Sequence, residues 1–134
     1  MIIDASVILR AFFPDEEQAQ AQALIRDHVS GRLQLVAPTL LVYEVTNAVV
    51  QAVRQERIGD QAAEEILGAF EGLDIHIEPV GWQQILPLSL RFGRSAYDAA
   101  YLALAQERGE PLVTGDLRLY RVVHEHLPWV RCIG

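Results

Sequence analysis

The sequence predicts an α/β fold in which a parallel sheet is covered by helices on both faces. Strand-like apolar runs are separated by helical segments along the whole chain, and parallel strands need such crossovers to pair. The chain has 134 residues and contains no repeat, low-complexity tract or linker, so it reads as one domain over residues 1–134 with one core.

Met1 to Asp4 is a short apolar strand ending in an acid, and Ser6 to Phe13 reads as a short helix stopped by Pro14. Asp15 is placed to cap a helix running to about Arg32, in which Leu24, Ile25 and Val29 recur at helical spacing. Gln34 to Ala37 is a second strand, closed by Pro38. Thr39 is placed to cap a long apolar helix reaching about Ile58, and Gly59-Asp60 restarts the chain as a helix to about Gly72. Ile75 to Val80 alternates like a strand. Trp82 to Phe92 is helical despite Pro87, and Ser95 opens a helix that Gly109 ends. Pro111 to Thr114 is a buried strand, Asp116 to about His126 a helix, and Trp129 to Ile133 the last strand.

Composition narrows the function. No run approaches the roughly 18 uninterrupted apolar residues of a membrane span. No secretory leader is evident, and the single Cys132 is expected as a small buried hydrophobe, so the expected location is the cytoplasm. The net charge of −7 argues against a protein that coats nucleic acid. That charge is unevenly spread: residues 91–134 hold six Arg (Arg91, Arg94, Arg108, Arg118, Arg121, Arg131) against five acids. The chain has no Lys, which removes P-loop, Schiff-base and Ser–Lys chemistry.

Four carboxylates stand inside or beside apolar runs: Asp4, Glu44, Asp98 and Asp116. A buried carboxylate is costly unless it is paired, hydrogen-bonded or bound to a metal. Asp4 and Asp116 follow strands, so both belong on the carboxyl edge of the sheet, where α/β folds place their working crevice. Asp4 and Asp116 also suit helix N-caps, and Ser95-x-x-Asp98 fits a capping box. Glu44 has no such role. It lies in mid-helix, and Leu40, Leu41, Asn47 and Ala48 fill the places where a local Arg partner would stand. Together the four acids point to a site for a divalent cation. The four His residues lack zinc-type spacing, and Trp82 and Trp129 are expected in packing roles.

With these residues in view, the chain resembles the PIN-domain family, specifically the small VapC-type toxin ribonucleases. Ile2-Ile3-Asp4-Ala5-Ser6 resembles the family's opening motif, and Glu44-Val-Thr-Asn47 its E-x-x-N helix. Tyr97-Asp98-Ala-Ala-Tyr101 is close to its most distinctive motif, and Thr114-Gly-Asp116 resembles its T-x-D. The resemblance covers essentially the whole chain. It implies a three-layer α/β/α fold with a central, mainly parallel sheet of about five strands, the four acids meeting in one pocket. It also implies dependence on Mg²⁺ or Mn²⁺, cleavage of RNA to 3′-hydroxyl and 5′-phosphate ends, a homodimer and inhibition by a cognate antitoxin. On this reading Asp4, Asp98 and Asp116 bind metal, and Glu44 holds a water or a second ion. Ser6, Asn47, Thr114 and Arg94 would then support the site or touch substrate. The Lys that many relatives carry after the fourth motif is replaced here by Asp116-Leu-Arg118. Two alternatives stand beside it: a non-catalytic PIN-like RNA-binding or scaffold protein, and a PIN nuclease working outside a toxin–antitoxin pair.

Overall fold

Both residues of the first strand, β1 (Ile2–Ile3), are fully buried, so the sheet they begin is covered on both faces. The computed structural model describes residues 1–134. After β1 come α1 (Ala5–Phe12), α2 (Ala19–Val29), β2 (Val36–Pro38), α3 (Leu40–Arg54), α4 (Asp60–Gly72) and β3 (His76–Glu78). Then follow α5 (Trp82–Phe92), α6 (Ala96–Arg108), β4 (Leu112–Thr114), α7 (Leu117–Val123) and β5 (Val130–Cys132). The strands lie in the order β3-β2-β1-β4-β5, and all four pairings are parallel. The sheet is therefore wholly parallel, where a mainly parallel one was expected.

This order fixes where a site can form. The chain starts in the middle of the sheet at β1, moves outward through β2 and β3, then returns to β4 on the other side of β1. The crossover direction changes between β1 and β4, and ligands of open α/β sheets bind beyond the strand ends at such a switch point. Ile3 pairs with Val113, which brings the ends of these two strands side by side.

Helix α6 packs across β1, β2 and β4, with α5 against it, while α1 and α3 contact β4 and β2 and each other. Seven consecutive residues of α6, Ala99 to Ala105, are buried. A helix buried all round needs no amphipathic pattern, and its alanines let it lie close to the sheet. His28 joins three elements, since its Nδ1 accepts from Leu35 N–H at 3.0 Å and its Nε2 faces the Leu73 carbonyl at 2.6 Å.

Several expected boundaries move. Asp15 does not cap α2; it lies in the turn after Pro14 and pairs with Arg57 at 2.8 Å, while the Gln18 side chain caps by accepting from Ala21 N–H at 2.7 Å. Thr39 makes no capping bond because its own backbone is already helical. Helix α3 ends at Arg54 rather than near Ile58, and Glu56 takes a left-handed φ of 58° in the turn that follows. α7 ends at Val123, short of His126. Trp82 is 69% exposed rather than packed, and Cys132 is only half-buried, its thiol pushed up chiefly by burial.

Candidate active site

The hydrogen-bond system around Asp4 is built by the two strands at the switch point. Asp4 follows β1, caps α1 by accepting from Ser6 N–H at 3.1 Å, and is only 8% exposed. Ser6 Oγ donates to Asp4 Oδ1, and Thr114 Oγ1 donates to Asp4 Oδ2. Each hydroxyl also accepts from the loop after β4: Ser6 Oγ from Gly115 N–H at 2.6 Å, and Thr114 Oγ1 from Asp116 N–H at 2.9 Å. Two hydroxyls thus tie one buried carboxylate to the backbone of the neighbouring strand's loop. Burial pushes the Asp4 carboxyl up to about 6, against the pull of these bonds, and the charge of Asp116 adds to the rise.

The missing side chain at Gly115 leaves room for Arg10. A Cβ would stand 2.8 Å from Nε of Arg10, whose guanidinium lies against this loop. Asp116 caps α7, with Oδ1 accepting from Arg118 and Leu119 N–H at 3.0 and 3.2 Å. That leaves Oδ2 turned elsewhere.

Glu44 stands in the second turn of α3, which leaves the carboxyl end of β2. The partner that its own helix lacks comes from α6: Tyr101 O–H donates to Glu44 Oε1 at 2.5 Å. Burial raises the Glu44 carboxyl, the Tyr101 bond opposes that rise, and the Asp98 charge adds to it. The Tyr101 hydroxyl is held far above its ordinary range, first by burial and then by its bond to Glu44. Asn47 lies one turn further along α3 and is exposed; it lines a shallow cleft with Leu40, Tyr43, Glu44 and Tyr97.

Asp98 sits in the first turn of α6. Ser95 Oγ accepts from Asp98 N–H at 3.1 Å, which is one arm of a capping box. The other arm is missing because the Asp98 side chain turns to Arg94, whose Nε and Nη2 stand 3.0 and 2.8 Å from Oδ2. Nη2 of Arg94 is also 4.0 Å from Oδ2 of Asp116.

All the candidate donors are oxygens, which suits a hard divalent cation. The four acids gather at the carboxyl edge of the sheet, yet no three of them are arranged around one ion. Asp4 feels the charge of Asp116 and Glu44 that of Asp98, while the Tyr101 hydroxyl feels Glu44, Asp4 and Asp98 together. The donor chemistry fits a metal, with Arg94 supplying positive charge between Asp98 and Asp116 as the side chains stand.

Residues 1–125 match the family model described as PIN domain. The chain belongs to the PIN-domain family. It is 32% identical over 123 residues to Ribonuclease VapC3 of Pyrobaculum aerophilum, covering 89% of this chain and 91% of that one. It is 31% identical over 119 residues to Ribonuclease VapC9 of Mycobacterium tuberculosis, covering 89% and 87%. These relatives place it among the VapC-type members of the family. Among solved structures, PAE2754 from Pyrobaculum aerophilum shares the fold with a TM-score of 0.71 at 24% identity, over 90% of this chain and 76% of that one. A chain of a toxin–antitoxin complex from Klebsiella pneumoniae gives 0.62 at 16% identity, over 96% and 93%.

Two residues of this PIN domain gain roles that the sequence reading did not give them. Tyr101, the last residue of the third motif, is the hydrogen-bond donor to Glu44, and Arg10 packs on Gly115 beside Ser6. The near-match of Tyr97-Asp98-Ala-Ala-Tyr101 to a family motif was the available signal for Tyr101. Tyr101→Phe should move the Glu44 titration to higher pH in the metal-free protein, since the lost bond is the one that lowers it. Carboxyl ¹³C NMR of Glu44 reads this directly, and an unchanged titration would show that Tyr101 does not support Glu44.

Proposed function

We propose that this chain, folded as a single PIN domain over residues 1–134, is a divalent-metal-dependent endoribonuclease and the toxin of a VapBC-type pair. The observation that carries the reading is Asp4, buried at the β1–β4 switch point and tied by Ser6 and Thr114 to the loop that bears Asp116. Its kinship with VapC ribonucleases supports RNA as the substrate and a cognate antitoxin as the partner.

Asp4, Asp98 and Asp116 would hold Mg²⁺ or Mn²⁺, and Glu44 would steady a water or a second ion. When bound, such a cation acidifies a water and offsets the negative charge that gathers on the phosphate. Ser6 and Thr114 fix the direction of Asp4, and Tyr101 fixes Glu44. Asn47 is exposed on α3 and Arg94 lies against Asp98 and Asp116, and both would meet the RNA backbone.

A homodimer is part of the proposal. Trp82, Leu86 and Leu90 form an apolar stripe at helical spacing along α5, exposed by 69%, 48% and 74%. No helix is long and apolar enough to cross a membrane. Kinship with the VapC ribonucleases supports a cytoplasmic location.

Purified protein should cleave RNA with Mg²⁺ or Mn²⁺, leaving 3′-hydroxyl and 5′-phosphate ends, and should stop in excess EDTA. Cleavage that continues undiminished under chelation would overturn the metal mechanism. The absence of a three-acid cluster in the structure favours one second reading, a non-catalytic PIN-like scaffold. Failure to cleave with either metal, by protein that still binds RNA, would select it.

A further inference from the structure

We propose that Arg94 is a built-in counter-ion of the acidic edge, which a divalent cation must displace, so that this residue sets how tightly the site takes its metal. The inference rests on the metal reading above.

The residue is fixed at its base. Helix α5 is capped by Gly93, whose φ of 61° is left-handed, and Arg94 N–H then donates to the Ser89 carbonyl at 3.2 Å. Ser89 Oγ donates back to the Arg94 carbonyl at 2.6 Å. The backbone is thereby held from both sides, directly before the Ser95 cap of α6.

The side chain follows from this anchoring. Two guanidinium nitrogens meet Oδ2 of Asp98 at 2.8 and 3.0 Å, and one of them stands 4.0 Å from Oδ2 of Asp116. Arg94 is 24% exposed and Asp98 28%, so the pair is partly shielded from salt and water. No other cation pairs with any of the four acids, and Asp4 and Glu44 have no ion pair at all. Arg94 is therefore the only cation paired with these acids, and it spans Asp98 and Asp116.

A guanidinium keeps its charge at any pH a protein survives. It cannot make way by losing a proton, so it has to swing out. A divalent cation that draws Asp98 and Asp116 together competes with Arg94 for the same Oδ2 atoms.

Mn²⁺ titrations of the full chain by calorimetry, at fixed pH and ionic strength, test the idea without reference to activity. Arg94→Leu should bind Mn²⁺ roughly two- to fivefold more tightly than wild type, as expected for removing a partly screened competitor. Arg94→Lys should fall between, because an ammonium competes as a point charge without the two-nitrogen contact. The metal-induced rise in melting temperature should be larger for Arg94→Leu in the same order. A purely structural ion pair would lower the metal-free melting temperature and leave the Mn²⁺ affinity alone, which would overturn the proposal.

A second measurement needs no variant. In wild type, the Arg94 Nε–H resonance should move toward its solvent-exposed position and exchange faster as diamagnetic Mg²⁺ is added. An unmoved resonance at saturating Mg²⁺ would overturn the displacement. If neither wild type nor variant binds Mn²⁺, the metal reading itself falls, and this inference with it; equal binding by both removes Arg94 alone.

Discussion

Asp4→Asn is expected to abolish RNA cleavage while making the metal-free protein more stable at pH 7. Loss of one electrostatic group at a reacting centre typically costs about a hundredfold or more in rate. The stability gain follows from the same burial. The Asp4 carboxyl is raised from 3.8 to about 6, and each unit corresponds to about 1.36 kcal/mol between its two protonation states. Its folded-state value lies above its unfolded one, so the contribution is fully present below about pH 4 and lost as pH climbs through about 6. At pH 7 the wild type should therefore have lost about 3 kcal/mol that Asp4→Asn does not lose. Asparagine remains a good N-cap, but one of its two polar ends now offers N–H to a hydroxyl that needs an acceptor, at about 1 kcal/mol. The variant should thus be about 2 kcal/mol more stable at pH 7 and slightly less stable at pH 4. Urea melts with EDTA at both pH values read the crossover. A variant weakened equally at both would mean that the hydrogen bonds of Asp4, not its desolvated charge, dominate its energetics.

The parts of this edge that were legible in the sequence share one property: they follow from strand order. An acid directly after an apolar run marks a strand end, and parallel pairing brings all such ends to one side of the sheet. Asp4 and Asp116 were placed in this way. The order β3-β2-β1-β4-β5 was not readable in the same sense, because nothing local tells β4 to lie beside β1. The partners of the acids were hidden for that reason. Tyr101 reaches Glu44 across 57 positions of sequence, and Thr114 reaches Asp4 across 110. Arg94 and Asp98 are four apart and could be paired by eye, yet the approach of the same guanidinium to Asp116 depends on α6 and α7 starting at one edge. Helix ends failed differently. Asp15 has the right chemistry for a cap, but Arg57, brought in by the turn after α3, offers its carboxylate a charged partner instead.

The second large effect is expected at Thr114, which is fully buried and joins Asp4 to the backbone of Asp116. Thr114→Val keeps the shape and removes both bonds. Asp4 loses a charge-assisted donor, worth about 1.5–3 kcal/mol, and Asp116 N–H loses its acceptor at the rim of the site. The expected cost at pH 7 is about 2–4 kcal/mol, against less than about 1 kcal/mol for Thr114→Ser, which keeps the hydroxyl. The cost should grow with pH. Without the Thr114 bond, which lowers the Asp4 pKa, that carboxyl rises above about 6, and the stability it contributes below pH 4 is lost more deeply before the curve levels. The pairing itself can be isolated by repeating Thr114→Val in an Asp4→Asn background. There the charged acceptor is gone, so the same substitution should cost at least about 1 kcal/mol less, a coupling energy typical of groups in direct contact. Additive costs in urea melts of the four proteins at pH 7 would show that Thr114 serves the loop alone. A positive coupling ties the stability of the β4 loop to the charge on Asp4, and so makes the most buried acid of this edge the one that its neighbouring strand holds in position.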